Sequence, residues 1–145
     1  MSKTPDKRVE AILNLAVVDT FIRKKHDELF SQYDLTMSQF NVLRILKGVY
    51  PDGHPRCEII TRMIDPSPDI TRLIDRLITK KLVKRVKGKE DARMSVAVIT
   101  PKGIELLDEL NKKVSALTNK LFESISEKEC ETLSNICEKI YSEQN

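Results

Sequence analysis

The clearest amphipathic pattern in the chain lies in residues 67–81. Ser67 offers a side-chain oxygen as a helix N-cap, and Pro68 suits the first helical position because its missing N–H is not needed there. Apolar residues then recur at spacings of three and four, which predicts a helix with one buried face. The 14 residues from Pro68 to Lys81 would form a rod of about 21 Å, at about 1.5 Å per residue. The apolar positions are Ile70, Leu73, Ile74, Leu77 and Ile78.

Two short segments rich in β-branched residues follow this helix, with a polar segment between them. Residues 82–86 and 95–99 are predicted strands, and Gly88 favours a turn in the residues that join them. A helix followed at once by a basic hairpin is typical of a winged helix. We therefore interpret residues 67–81 as a recognition helix that fits a DNA major groove. The alternative is an ordinary amphipathic helix whose charged face is solvated.

Two helices are predicted near the N-terminus. The first runs from the Thr4–Pro5 pair to about residue 32, because the pair has the form of a cap followed by proline. The second starts at a capping box formed by Thr36 and Gln39. Both segments carry apolar residues at helical spacing, so each helix has one face to bury.

Between the second helix and the recognition helix, residues 50–55 contain two prolines and a glycine, and this composition predicts a loop. A short third helix is predicted over residues 56–64, and a break over residues 65–68. The third helix, the break and the recognition helix together have the arrangement of a helix-turn-helix unit.

Two further helices are predicted after the hairpin. One starts at the Thr100–Pro101 pair and carries apolar residues up to Phe122. The other starts at a capping box headed by Ser126 and runs to about Tyr141. The expected fold class is therefore mainly α with a small β-hairpin wing, a winged helix-turn-helix core flanked by terminal helices. The predicted buried stripe of the last helix is Leu133, Ile136, Cys137 and Ile140.

The terminal helices have little of their own chain to pack on once the middle of the sequence has closed a small core. A first helix near 25 residues also exceeds the usual length of helices in globular domains. We therefore predict a helical dimerisation region in residues 1–34 and 104–145, and a winged helix-turn-helix region in residues 35–103. For the first helix, a long core helix within one chain is the alternative.

Charge is distributed unevenly along the chain, although the formal net charge is only +3. Residues 54–103 contain twelve Lys and Arg against six Asp and Glu, a balance of +6. Residues 104–145 have a balance of −4, and residues 1–53 a balance of +1. The positive field therefore coincides with the predicted helix and hairpin, where double-stranded DNA would bind.

Composition also bears on location. No apolar run approaches the roughly 18 residues needed to span a bilayer, and the N-terminal residues lack the apolar core of a signal peptide. Three widely spaced cysteines do not form a disulfide framework. These features predict a cytoplasmic protein that does not use a membrane as partner.

No motif for catalysis is present: the chain has no Gly-rich phosphate loop, no Gly-x-Ser-x-Gly and no His-Glu-x-x-His. Asp52, His54 and Cys57 lie close together, but a structural zinc site needs four ligands, so a polar loop is favoured. We therefore expect neither an enzyme nor a cofactor. Cys57 is a candidate thiol switch because it starts a predicted helix, with a plain, partly buried cysteine as the favoured alternative.

Five short segments together resemble the MarR (multiple antibiotic resistance regulator) family of transcription factors. The recognition helix contains DITRLIDRL, and the strand after it begins with LVKR. EDAR lies in the hairpin turn, ITPKG at the start of the following helix, and TMSQFNVL at the start of the second helix. Each motif alone is weak, but five in the same order and spacing from residue 36 to residue 103 are specific.

The resemblance implies a homodimeric repressor that binds a short palindromic operator. Each recognition helix would enter a major groove and each wing tip a minor groove. The resemblance also implies a small phenolic or aromatic ligand that releases the DNA, in a cleft to which His26 and Tyr33 are assigned. For His26, a satisfied or solvated surface histidine is the favoured alternative. Two positions depart from the family: Lys81 stands where glycine is common, and Val86 where many members have a second basic residue.

The candidate DNA contacts form two sets. In the recognition helix, Arg72 and Arg76 would reach base edges or phosphates. In the wing, Asp91 would brace the loop that presents Arg93, or form a plain salt bridge with it. A winged-helix module that binds proteins rather than DNA is the alternative function, and the balance of +6 argues against it. The helix set is Ser67, Pro68, Asp69, Thr71, Arg72, Asp75 and Arg76, and the wing set is Lys84, Arg85, Lys87, Lys89, Asp91 and Arg93.

Overall fold

The computed structural model describes residues 4–66 and 68–143, and within them the chain forms six α-helices and one three-stranded sheet. The predicted fold class, mainly α with a small β wing, is confirmed. The chain divides into two compact units, residues 1–111 and residues 112–145. In chain order the elements are α1 Lys7–Ser31, α2 Met37–Lys47, β1 His54–Pro55, α3 Arg56–Arg62, α4 Ile70–Thr79, β2 Val83–Lys87, β3 Ser95–Ile99, α5 Pro101–Leu121 and α6 Glu127–Ser142.

Both predicted capping boxes are present. The Thr36 hydroxyl accepts the N–H of Gln39 at 3.2 Å, and the Gln39 side chain accepts the N–H of Thr36 at 3.0 Å. The same reciprocal pair joins Ser126 and Glu129, with both distances at 3.1 Å. Because the first turn of a helix has unpaired N–H groups, each box fixes where its helix begins. The N–H of Ser126, followed by its hydroxyl, also lowers the pKa of the Glu129 carboxyl.

The start of α1 differs from the prediction based on the Thr4–Pro5 pair. Asp6 has an extended backbone, and its carboxylate accepts the N–H of Arg8 at 2.9 Å, so Asp6 is the N-cap. Aspartate and threonine are both good caps, and aspartate adds a negative charge at the positive end of the helix. The helix ends at Ser31, close to its predicted end.

α4 covers Ile70–Thr79, so the predicted start at Pro68 is wrong. Asp69 is the N-cap, because its carboxylate accepts the N–H of Arg72 at 3.2 Å. The predicted cap, Ser67, lies outside the described residues. Ten helical residues give a rod of about 15 Å, shorter than the sequence predicts.

α4 ends in a Schellman motif with Lys81 at the left-handed position, where φ is 63°. The N–H of Lys81 donates to the carbonyl of Ile78 at 2.8 Å, and the N–H of Leu82 donates to the carbonyl of Leu77 at 3.0 Å. A lysine therefore occupies a conformation that glycine adopts more readily. The Lys81 carbonyl accepts the Thr100 hydroxyl at 2.7 Å, which ties the end of α4 to the start of α5.

The sheet has the strand order β1-β3-β2 with antiparallel pairing throughout. β3 covers the predicted residues, whereas β2 begins one residue late because Leu82 belongs to the motif that ends α4. The prediction that residues 50–55 form only a loop is wrong, since His54–Pro55 pairs with β3 opposite Ala97 and forms β1. Gly53 permits this pairing, because a Cβ at this position would clash with the carbonyl oxygen of Ala97.

The core of residues 1–111 lies among α2, α3, α4, the sheet and the beginning of α5. Phe30, near the end of α1, stacks on Phe40 of α2 with ring centroids 4.6 Å apart. Met63 is buried and has an extended backbone, so α3 ends at Arg62 rather than at the predicted residue 64. Other fully buried side chains are Val42, Leu43, Leu46, Ile59, Leu77, Val83, Ile99, Leu107 and Leu110.

The start of α5 lies directly against the segment that follows α4. The N–H of Thr100 donates to the carbonyl of Leu82 at 3.0 Å. Gly103 is buried against the same carbonyl, and a Cβ at Gly103 would clash with it. The glycine of the ITPKG segment is therefore required by close approach of two backbones.

α1 and α6 each expose apolar side chains in the single chain. In α6, Leu133, Ile136 and Ile140 are 44%, 52% and 54% exposed, so their predicted burial is wrong within one chain, and Cys137 is half-buried. The unit of residues 112–145 contains only the end of α5 and α6, too little chain to close a core. Among the described residues, no helix combines the length and apolar content that crossing a bilayer requires. The exposed set on α1 is Val9, Ile12, Leu13, Leu15, Val17, Val18 and Phe21.

Candidate nucleic-acid interface

The polar face of α4 is open to solvent. The helix is held by its opposite face, on which four of its five apolar residues are buried. A helix fixed in this way presents its charged side chains outward, which suits docking into a groove of DNA. The exposed residues are Arg72, Asp75, Arg76 and Thr79, and Thr71 at the edge of the face is half-buried.

Two predicted contact residues lie where the chain enters α4. Asp69 is exposed, but its carboxylate caps the helix and is bonded to the N–H of Arg72. Pro68 is half-buried just before this cap. Asp69 therefore has a structural role, because it fixes the first turn of the helix that carries Arg72.

An ion pair joins α4 to the wing. Arg85 on β2 donates through Nη2 to a carboxylate oxygen of Asp75. The two side chains are 48% and 53% exposed, so the pair contributes at most about 1 kcal/mol to stability. Its main consequence is geometric, since it holds Arg85 of β2 beside α4.

The wing turn is held by main-chain hydrogen bonds. The Asp91 carboxylate accepts the N–H of Arg93 at 2.9 Å, and the N–H of Gly88 donates to the carbonyl of Met94 at 2.9 Å. The alternative of an Asp91–Arg93 salt bridge is wrong for the described structure, because Asp91 bonds the main chain of Arg93 and no ion pair joins the two side chains. Asp91 therefore shapes the turn, and the Arg93 side chain stays exposed.

The wing has five lysines and arginines at exposed positions of β2 and the turn: Lys84, Arg85, Lys87, Lys89 and Arg93. Lys84 and Lys87 lie on β2. Lys89 lies in the turn, and its ammonium is 2.6 Å from a carboxylate oxygen of Asp52, in the loop before β1. The hydrogen bond that Lys89 donates to Asp52, and then the negative charge of Asp52, raise the pKa of Lys89. The wing therefore presents an array of positive charge, and two of its members, Arg85 and Lys89, are already paired.

Proteins of similar sequence and structure are transcription regulators, although no protein-family model matches the chain. A MarR transcription factor from Planctomyces limnophilus is 31% identical with a TM-score of 0.71, over 95% of this chain and 98% of that chain. The uncharacterized HTH-type transcriptional regulator YsmB of Bacillus subtilis is 30% identical over 117 residues, which are 80% of this chain and 78% of that protein. This chain belongs to the MarR family.

This MarR-family protein also shares its fold with S. aureus MepR in a MepR–DNA complex. The TM-score is 0.80 at 23% identity, over 93% of this chain and 98% of that chain. At this level of sequence identity, the similarity shows only that the two proteins share a fold. The two structures therefore agree on the winged helix-turn-helix architecture.

His26 and Tyr33, the predicted ligand-cleft residues of this MarR-family chain, are not brought together. His26 stacks on Phe30 with centroids 5.9 Å apart, and its buried Nδ1 atom has no hydrogen-bond partner in the described structure. It lines a cavity of about 180 Å³ among α1, α2 and the α3–α4 connection. Tyr33 instead donates to Glu109 at 3.2 Å, and loss of solvent, followed by the charge of Glu109, raises the pKa of Tyr33.

Asp52, His54 and Cys57, for which the sequence favours a polar loop over a metal site, lie in the loop before β1, in β1 and at the start of α3. Asp52 is paired with Lys89, and His54 lies on β1. Partial burial, and then the charge of Arg62, lower the pKa of His54. No group of three or more side chains suited to a metal ion occurs among residues 4–66 and 68–143. Cys57 is exposed rather than partly buried, and its thiol is free.

Two residues near the MarR-family interface are absent from the predicted contact sets. Asp52 pairs with the wing lysine Lys89, and Arg56 donates to the hydroxyl of Thr71 on α4 at 2.7 Å. Both belong to the loop and helix start that precede the helix-turn-helix break. In the sequence, both are charged residues within or directly after the proline-containing segment 50–55, and this position could have marked them as candidates. Spacing alone, however, does not show what each side chain contacts.

Proposed function

We propose that this MarR-family protein is a sequence-specific, double-stranded-DNA-binding repressor that acts in the cytoplasm as a homodimer on a palindromic operator. The observation that carries the proposal is the exposed charged face of α4 next to a basic wing. Arg72 and Arg76 would read base edges or phosphates in the major groove, and Arg93 would enter a minor groove. MepR, which has the same fold, is known in a complex with DNA.

The homodimer is supported by apolar surface that the single chain leaves uncovered. α1 exposes seven large apolar side chains, and α6 exposes Leu133, Ile136, Ile140 and Tyr141. Surface of this kind marks interaction sites in proteins that are otherwise well packed. We assign residues 1–34 and 104–145 to the dimer contact and residues 35–103 to DNA binding. A two-fold dimer would then present two recognition helices to the two halves of a palindrome.

Release by a small phenolic or aromatic ligand is the third part of the proposal. The cavity beside His26 supports it, because a buried ring nitrogen without a partner is costly and a ligand hydroxyl would satisfy it. Tyr33 lines no part of this cavity, so its role in ligand binding stays a prediction.

The proposal is tested by gel shifts with the full-length protein on genomic duplex at two salt concentrations. We expect binding that weakens steeply as salt rises, because Lys and Arg displace counterions from phosphates. Light scattering on the same sample should give the mass of a dimer. Binding that is indifferent to salt would favour the alternative of a protein-interaction module, and a monomer at all concentrations would contradict the dimer.

A further inference from the structure

Arg56 is the first residue of α3 and lies next to the recognition helix. Its Nη1 atom donates to the hydroxyl of Thr71 at 2.7 Å. Thr71 is the second residue of α4, so this hydrogen bond joins the two helices of the helix-turn-helix at the start of both. A guanidinium has five N–H donors, and this bond uses one of them.

Unlike Arg85 and Lys89, Arg56 has no carboxylate partner among the residues that the structure describes. Arg85 is paired with Asp75, and Lys89 is paired with Asp52. In the described part of the chain Arg56 bonds only a neutral hydroxyl, and no ion pair joins it to a carboxylate. Its side chain is also exposed. Arg56 therefore offers a full positive charge and spare donors beside α4.

The remaining donors of Arg56 lie at an open cleft of about 450 Å³ between the start of α3, α4 and the sheet. Arg56 and Arg85 are the charged residues of its wall, and no carboxylate lines it. The hydroxyls of Thr71 and Ser95 also line the cleft. Two guanidinium groups and two hydroxyls suit the oxygens of a phosphate.

We propose that Arg56 binds a phosphate of the DNA backbone and, through Thr71, fixes the position of α4 in the major groove. This inference rests on the proposed function. Contacts to phosphates set the register and orientation of a DNA-binding helix, whereas contacts to base edges read the sequence. Arg56 would thus be a positioning residue. Arg85 would also bind at the cleft once DNA displaces its ion pair with Asp75.

The test compares variants of the full-length protein on a duplex selected from a random library and on a random duplex of equal length. Loss of one phosphate contact should reduce the slope of log K against log salt by about 0.9 on both duplexes. We expect this for Arg56→Ala, and partial recovery for Arg56→Lys. Arg62→Ala removes an exposed arginine from the other end of α3, where it is paired with Glu58, and should keep the wild-type slope.

An unchanged slope for Arg56→Ala, or an equal reduction for Arg62→Ala, would overturn the assignment. Thermal unfolding of each variant shows whether it is folded, and a structural role for Arg56 alone would change the melting temperature without changing the slope. Inorganic phosphate at constant ionic strength forms a second arm. Stabilisation of wild type but not of Arg56→Ala by free phosphate, with no change in the DNA slope, would reassign the cleft and overturn the proposal. A wild type without salt-dependent binding would instead contradict the proposed function itself.

Discussion

Lys89 at the tip of the wing lies 2.6 Å from the carboxylate of Asp52, in the loop that leads into β1. The two residues are far apart in sequence, and their contact fastens the wing turn to the loop before the helix-turn-helix. Lys89 belongs to the predicted wing contacts. For Lys89 to bind a phosphate of DNA, that phosphate would have to displace the carboxylate of Asp52.

Replacing Asp52 with asparagine is expected to strengthen DNA binding. Because an exposed ion pair contributes little, affinity should rise only by roughly two- to fivefold at low salt. Fluorescence anisotropy on selected and random duplexes measures the change, which should be alike on both. Glu90→Gln is the matched control, since it makes the same charge change one residue from Lys89, at an exposed position without a recorded ion pair in the described structure. An equal gain for both variants would show that only net charge matters.

Arg72→Ala is expected to lose operator selectivity. Arg72 is exposed on α4, and a good bidentate contact to a base contributes about 1–3 kcal/mol of discrimination, roughly a tenfold effect or more. Competition between selected and random duplexes measures this ratio. Lys89→Ala provides the contrast, because it should weaken binding to both duplexes and flatten the salt slope. Equal losses on both duplexes for Arg72→Ala would count against base reading.

Lys81→Gly is expected to stabilise the protein. Lys81 has a φ of 63°, and a residue with a Cβ in this conformation costs roughly 1–2 kcal/mol relative to glycine. The gain should be about 1 kcal/mol in urea unfolding, since glycine also makes the unfolded chain more flexible. Lys81→Ala keeps the backbone cost and should show little change. Equal gains for the two variants would assign the effect to the lysine side chain.

The capping box of α6 should make stability depend on pH. The pKa of Glu129 is lowered by the hydrogen bonds of Ser126, so the native state favours its charged form. This contribution is present above the pKa of Glu129 in the unfolded chain, and is lost as pH falls through the lower pKa of the folded state. The stability difference between wild type and Glu129→Gln should therefore shrink on acidification. Urea titrations at pH 7 and pH 3, with Glu131→Gln as an exposed control on the same helix, measure it; a constant difference would exclude the carboxylate.

Ile136→Glu is expected to weaken the proposed dimer. Ile136 is 52% exposed in the single chain, and a charge placed in an apolar interface costs several times the loss of one buried side chain. Sedimentation or light scattering across a dilution series should show dissociation at higher concentration than for wild type. Asn135→Glu, at an adjacent exposed position, is the matched control. A dimer of unchanged affinity would place the interface elsewhere.

Local signals in the sequence predicted much of the fold. The Thr36 and Ser126 capping boxes and strand β3 appear where the pattern placed them, because each depends on residues close in sequence. The predicted start of α4 was wrong because Asp69 and Ser67 are competing N-cap residues of similar strength. β1 could not be predicted, since its pairing depends on β3, more than 40 residues later in the chain.

The candidate site was predicted less completely, and for a related reason. Exposure of the charged face of α4 follows from its amphipathic pattern, so those residues lie as expected. The contacts of Arg85 with Asp75, of Lys89 with Asp52 and of Arg56 with Thr71 depend on the tertiary structure. Residue type and spacing identify the cations, but only the fold shows which of them already has a partner.

The packing of Gly103 against the carbonyl of Leu82, together with the two hydrogen bonds that Thr100 donates, joins the start of α5 to the end of α4 and to the residue before β2. Any tilt of the first turns of α5 must move the end of α4 and the base of β2 with it, as one body. In a dimer, the distance between the two winged helix-turn-helix regions would then change by rotation of each region as a whole, without bending inside either region. A bulky residue in place of Gly103 would change the operator spacing that such a dimer tolerates before it changed which bases are read.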